Sequence, residues 1–116
     1  MIEDSVKLGY IVDITSLISG NLKWLKYSDF YITKIALDEL KKINNTSDIN
    51  DIRVILEDIV DIIRIQRNIY EKFLLTQNAK IKINPRINLD GNRIREYTVT
   101  MAFEDNKFNI IINKII

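Results

Sequence analysis

Arg95-Glu96-Tyr97-Thr98-Val99-Thr100-Met101-Ala102-Phe103 is the stretch whose secondary structure decides the fold. Tyr97, Val99, Met101 and Phe103 alternate with Thr98, Thr100 and Ala102, the two-residue period of a strand with one buried face. β-Branched and aromatic side chains reinforce that reading. Its surroundings agree. In residues 79–89, Ile81, Ile83, Ile87 and Leu89 alternate with Lys80, Lys82, Asn84, Arg86 and Asn88, and Pro85 marks an edge position or a bulge. Asp90-Gly91-Asn92 is a turn signal. Glu104 to Lys107 can turn the chain again, and Phe108 to Ile112 reads as a last strand. Residues 79–116 therefore read as a three-stranded antiparallel meander.

Upstream the periods differ. Gly9 to Ile18 is a β-branched run broken by Asp13, which suits a strand buried on both faces as in a parallel sheet. Asn21 to Tyr27 reads as a short helix, and Phe30 to Thr33 as a second short strand. Ile35, Leu37, Leu40 and Ile43 predict a helix over 34–43. Ser47 or Asp48 is an N-cap candidate. A long helix follows over about 48–77, its apolar residues from Ile52 to Phe73 repeating at three and four, with a kink or break expected near Gln66. Trp24, Tyr27, Phe30 and Tyr31 read as core or interface filling. Glu57, Asp58 and Asp61 read as an exposed helix face, partnered by Arg53 and Arg64.

Composition narrows the chemistry. A chain of 116 residues with 47% hydrophobic content has the size and material of one domain, taken as residues 1–116. Its net charge of +1 favours neither a nucleic-acid-coating nor a membrane-coating surface overall. It contains no histidine and no cysteine, so the usual general base, thiolate nucleophiles, disulfides and zinc-thiolate sites are all excluded. Any catalysis must rest on carboxylates and metal ions. Glu3, Asp4 and Asp13 are wrong for a signal peptide, and no apolar run has bilayer length. These features predict a cytoplasmic protein with no membrane association.

Val12-Asp13-Ile14-Thr15-Ser16-Leu17-Ile18 resembles the opening motif of PIN-domain ribonucleases, where a hydrophobic strand ends in Asp and a small hydroxyl residue follows two positions on. Phe30-Tyr31-Ile32-Thr33 with Ala36-Leu37-Asp38-Glu39-Leu40-Lys41-Lys42 is similar to the family's second block, a short strand, a Thr, and a helix bearing a Glu. Asp13 and Glu39 stand 26 residues apart, a spacing the family accommodates. The resemblance implies an α/β, PIN-like three-layer fold with a central, mostly parallel sheet. It also implies a metal-dependent endoribonuclease, in which carboxylates hold Mg²⁺ or Mn²⁺ against the scissile phosphate and activate a water. Asp13 and Glu39 would be metal ligands and catalytic residues, with Thr15 or Ser16 holding Asp13 or a water.

The family's third block is an Asp opening a helix, then a strand ending near Asn-Asp. Residues 96–114 match its spacing, with Glu96 in place of the Asp as third ligand and Asp90 as the other candidate. Lys114 stands where an acid is expected, and a cation there would repel the metal. Reduced activity, or a binding role that outlasts catalysis, is the corresponding sub-case. The resemblance wants a helix where Tyr97 to Phe103 alternate, and pattern alone favours the strand. If the strand holds, the fold is α+β, with N-terminal helices and the C-terminal meander over 79–116. The matching function would be a small non-enzymatic interaction protein of phage, viral or mobile-element type, binding a protein partner. Lys80, Lys82, Arg86, Arg93 and Arg95 form a basic strip that can neutralise RNA phosphates, and Tyr97 can stack on a base. Alternating lysines also protect sheet edges from aggregation. RNA, a protein partner and a second copy of the chain are the partners to weigh.

Overall fold

A computed structural model of the chain describes residues 2–18, 28–65, 79–83, 97–104 and 107–114. Its helices are α1 (Ile2–Lys7), α2 (Thr15–Ile18), α3 (Lys34–Ile43) and α4 (Arg53–Ile65), the last led by a 3-10 turn over Ile49–Ile52. Its strands are β1 (Ile11–Asp13), β2 (Ser28–Thr33), β3 (Ala79–Ile83), β4 (Tyr97–Glu104) and β5 (Lys107–Lys114).

The strands form one sheet in the order β1-β2-β5-β4-β3. β2 and β5 run parallel, and the other three pairings are antiparallel. This corrects the expectation of a mostly parallel sheet. The cause lies in the stretch quoted first: Tyr97 to Glu104 is a strand, so β3, β4 and β5 pair as the expected meander. The meander does not stand alone. Its last strand carries β2 on its other side, in register Phe30 with Ile110 and Ile32 with Ile112, so the sheet is mixed α/β.

Strand alternation divides the sheet into two faces. Phe30, Ile32, Tyr97, Val99, Met101, Ile110 and Ile112 lie on one face and are almost wholly buried. Helices supply the other half of this core: Ile14 and Ile18 from α2, Ala36, Leu37 and Leu40 from α3, and Ile55, Leu56, Ile59, Val60 and Ile63 from α4. The apolar positions of α4 recur at three and four, so one stripe faces the sheet. Asp58 is the exception: it is buried rather than on the exposed face expected for it. Its neighbour Glu57 is in the expected place and takes the Arg53 guanidinium at 2.7 Å.

Local signals fix the ends of these elements. The Thr33 hydroxyl accepts from Ala36 N at 3.2 Å and caps α3. At the far end Asn44 donates from its side chain to Leu40 O, and Asn45 turns the chain with φ of 51°. Asp48 caps the 3-10 turn by accepting from Asn50 N at 3.0 Å.

Two other expectations change. The run from Gly9 to Ile18 is not one buried strand: only Ile11 to Asp13 are extended, and α2 begins at Thr15. The Thr15 hydroxyl explains the switch. It accepts from Phe30 N at 2.9 Å and donates to Phe30 O at 3.3 Å, taking the place of a backbone partner beside β2. β1 is thus a three-residue outer strand, antiparallel to β2, and not a central parallel strand. The expected helix over 21–27, the break near Gln66 and the turn at Asp90 lie outside the described residues. Among the described residues, no helix is long and apolar enough to cross a membrane.

Candidate functional site

Strand alternation leaves Asp29 and Tyr31 of β2 on the face away from the core. Register then gathers polar residues beside them. Asp13 of β1 is opposite Tyr31, and Asn109 of β5 is opposite Asp29. The hairpin from β4 to β5 brings Glu104 opposite Lys107. With α1 as its outer wall, this patch encloses a cleft of about 420 Å³. Ile2, Glu3, Val6 and Lys7 line it from α1, and Asp13, Asp29, Tyr31, Glu104, Lys107 and Asn109 line it from the sheet.

Four acidic and two basic side chains line the cleft, leaving a net charge of −2. The two lysines face carboxylates at the margin, Lys7 to Glu3 at 3.5 Å and Lys107 to Asp29 at 3.6 Å. These are solvent-exposed pairs and add little stability. Asn109 shapes the hairpin from within: it is buried, and its amide donates to Glu104 O and Lys107 O, both at 3.2 Å. Asp13 accepts from Thr15 N at 2.9 Å through Oδ1, and this turn holds its carboxylate at the cleft.

Tyr31 is the centre of the arrangement. Its side chain is only 8% exposed, although it stands on the polar face. Burial, and then the negative charges of Asp13, Asp29 and Glu104, push its phenol up to about 12. The phenol therefore stays protonated throughout the physiological range. It is a neutral donor and acceptor among carboxylates.

The structure separates the residues that the sequence groups together. Asp13 is in the cleft. Glu39 is on α3, which packs on the opposite, apolar face through Ala36, Leu37 and Leu40, so the sheet lies between the two. Thr15 spends its hydroxyl on Phe30 and holds Asp13 with its backbone N–H instead. Ser16 is exposed on α2. Glu96, Asp90, Arg86, Arg93 and Arg95 lie outside the described residues. Lys80 and Lys82 are in β3, in register with Thr100 and Thr98. Lys114 ends β5 opposite Tyr97. Tyr97 is buried in the core, away from any base it was expected to stack on.

Mg²⁺ or Mn²⁺ is the group that the resemblance implies. Among the described residues, no three acidic side chains stand close enough to hold one ion between them. With Glu39 behind the sheet, the described residues do not fit the implied three-ligand cage. Of the cleft residues only Asp13 was picked out from the sequence; Asp29, Tyr31 and Glu104 are among those it missed. Asp29 and Tyr31 alternate with Phe30 and Ile32, and that period alone could have marked them as a polar face.

No protein-family model, curated protein or solved structure matches the chain.

Proposed function

We propose that the chain is a PIN-like domain derived from a metal-dependent endoribonuclease, with reduced or lost activity, acting in the cytoplasm. Its site would be the Asp13 cleft. One observation carries this reading: Asp13, which ends the strand of the motif resembling the PIN opening, is held by its own turn at a carboxylate-lined cleft. Two others support the qualification on activity. Glu39 is behind the sheet, and the described carboxylates do not make a cage for an ion. An RNA phosphate would be repelled by a cleft of net charge −2, so RNA binding there requires added divalent metal. Lys80 and Lys82, with Arg86, Arg93 and Arg95, would neutralise RNA phosphates.

The test is cleavage of single-stranded and hairpin RNA with Mg²⁺ or Mn²⁺ by the wild type, Asp13→Asn and Glu39→Gln. The reading expects slow, metal-dependent cleavage, or metal-dependent RNA binding without cleavage, lost in Asp13→Asn. Cleavage that Asp13→Asn leaves untouched contradicts it.

A second reading has its own observation. The meander over β3, β4 and β5 is the architecture of the non-enzymatic alternative, a small interaction protein that binds a protein partner or its own copy. Leu8, Tyr10 and Ile35 are exposed, and Tyr10 O accepts from the N–H of Lys34, the residue before Ile35. RNA that never binds at any metal concentration, together with a partner lost on Tyr10→Ser and Ile35→Ser, selects this reading.

A further inference from the structure

We infer that α1 is a hinged lid on the Asp13 cleft, which swings away at Gly9 while the sheet and its helical core stay folded, and so governs access to Tyr31 and Asp13. Its bearing on function rests on the Asp13 cleft being the site. The motion itself is independent of RNA cleavage.

α1 is docked more loosely than the helices on the core face. α2 buries Ile18, and α3 buries Ala36, Leu37 and Leu40, whereas none of the six residues of α1 is buried. Its cleft-lining side carries Ile2 and Val6 one turn apart, and Val6 is still 38% exposed. Leu8 N, Gly9 N and Tyr10 N donate to Asp4 O, Val6 O and Ser5 O, so these backbone bonds tie the segment to itself rather than to the sheet. A helix this short has little stability of its own. An element with so little buried apolar area opens at a small fraction of the free energy of global unfolding.

Gly9 supplies the joint. Its φ of 77° lies in the left-handed region, and a Cβ added there would meet no atom within 4 Å. The chain is fixed directly after it, because Tyr10 O accepts from Lys34 N and Ile11 pairs with Thr33 in the sheet. A residue free to move between positive and negative φ thus separates a loosely held helix from an anchored strand. Across the cleft from α1 stand Asp13 and Tyr31, and Tyr31 is only 8% exposed. Undocking α1 takes away that wall and uncovers the ring.

Gly9→Ala tests the joint. The methyl group strains the closed, left-handed backbone without a clash and is at ease once the joint is free, so it should raise the open population about fivefold. Gly9→Asn, whose side chain tolerates the left-handed region better, should raise it less. Two rates read the open state in the full chain: hydrogen exchange at the Leu8 and Tyr10 amides, and nitration of Tyr31 by tetranitromethane, followed by peptide mass spectrometry. Exposed Tyr10 is the internal reference for nitration. Both rates should rise in step, about fivefold in Gly9→Ala and less in Gly9→Asn, with nitration of Tyr10 unchanged. Low urea should leave both rates alone, since the opening exposes little surface, while exchange at the Ile32 and Ile112 amides accelerates. Leu8, Tyr10 and Tyr31 rates that follow urea as Ile32 does would mean that α1 leaves only with the whole fold, and would overturn the inference. Nitration of Tyr31 that neither variant changes would overturn it too. Neither rate involves RNA or metal, so the lid and the nuclease reading stand or fall separately.

Discussion

The two faces of one sheet use the same alternating strands for opposite ends. On β2, Phe30 and Ile32 are wholly buried against α3 and α4, while Asp29 and Tyr31, one residue away on either side, face the cleft. On β5, Ile110 and Ile112 go to the core and Lys107 and Asn109 to the cleft. The core face is held by burial of apolar area, which tolerates no hole. The cleft face is held by turns and cross-strand register, which position charge and contribute little net stability. Substitutions should therefore separate by face, with large losses of stability on one and losses of binding on the other.

The largest expected effect is on the core face. Phe30→Ala removes a wholly buried ring between the sheet and the helices, and should cost about 3–5 kcal/mol in urea unfolding. A loss below about 1 kcal/mol would mean that the ring is not packed as described.

Next comes the cleft face at high pH. Tyr31 titrates near 12 in the folded chain against an ordinary 10. The folded state therefore holds the proton more tightly. That contribution is complete below pH 10 and lost as pH rises from 10 to 12. It amounts to about 3 kcal/mol, and Tyr31→Phe should lack it. Unfolding midpoints of both proteins across that window are the check. Parallel loss in the two would place Tyr31 in solvent.

Smaller effects belong to the joints between the faces. Thr15→Val keeps the shape of the side chain but removes the acceptor of the Phe30 N–H, while Phe30 O keeps the Ile14 N–H, and should cost about 1–2 kcal/mol. Thr33→Ala removes the cap of α3 for about 1 kcal/mol. At the bottom of the scale, Arg53→Ala breaks a half-exposed i,i+4 pair and should change stability by less than about 0.5 kcal/mol.

Much of the core face was legible in the sequence. The helix over 34–43 appears with those bounds, since Thr33 caps it and its apolar residues keep helical spacing. Tyr97, Val99 and Met101 declare their strand by period alone, and that strand decided against a mostly parallel sheet. A cap at Ser47 or Asp48 was legible, and Asp48 takes that place on the 3-10 turn that leads α4. The cleft face was much less so. Asp13 was found, but Asp29 and Glu104 gain meaning only when β2 pairs with β5 and β5 with β4, contacts between residues far apart in the chain. Glu39 was grouped with Asp13 on sequence spacing, which says nothing about which side of a sheet a helix covers. The short β1 was hidden for a similar reason. Its run of β-branched residues reads as one strand until the Thr15 hydroxyl takes the Phe30 backbone and frees the chain to turn.

The central claim is that function resides at Asp13 on the cleft face. Thermal melts of the wild type and Asp13→Asn, in EDTA and then in millimolar Mg²⁺ or Mn²⁺, test it most directly. An ion that binds the native cleft stabilises the fold by mass action, by about 2.7 kcal/mol at a hundredfold excess over its Kd. Without a three-carboxylate cage among the described residues the ion binds weakly, so the account predicts a small rise in the wild type and none in the variant. Equal rises in both, or none in either, would contradict a metal-dependent origin for this cleft.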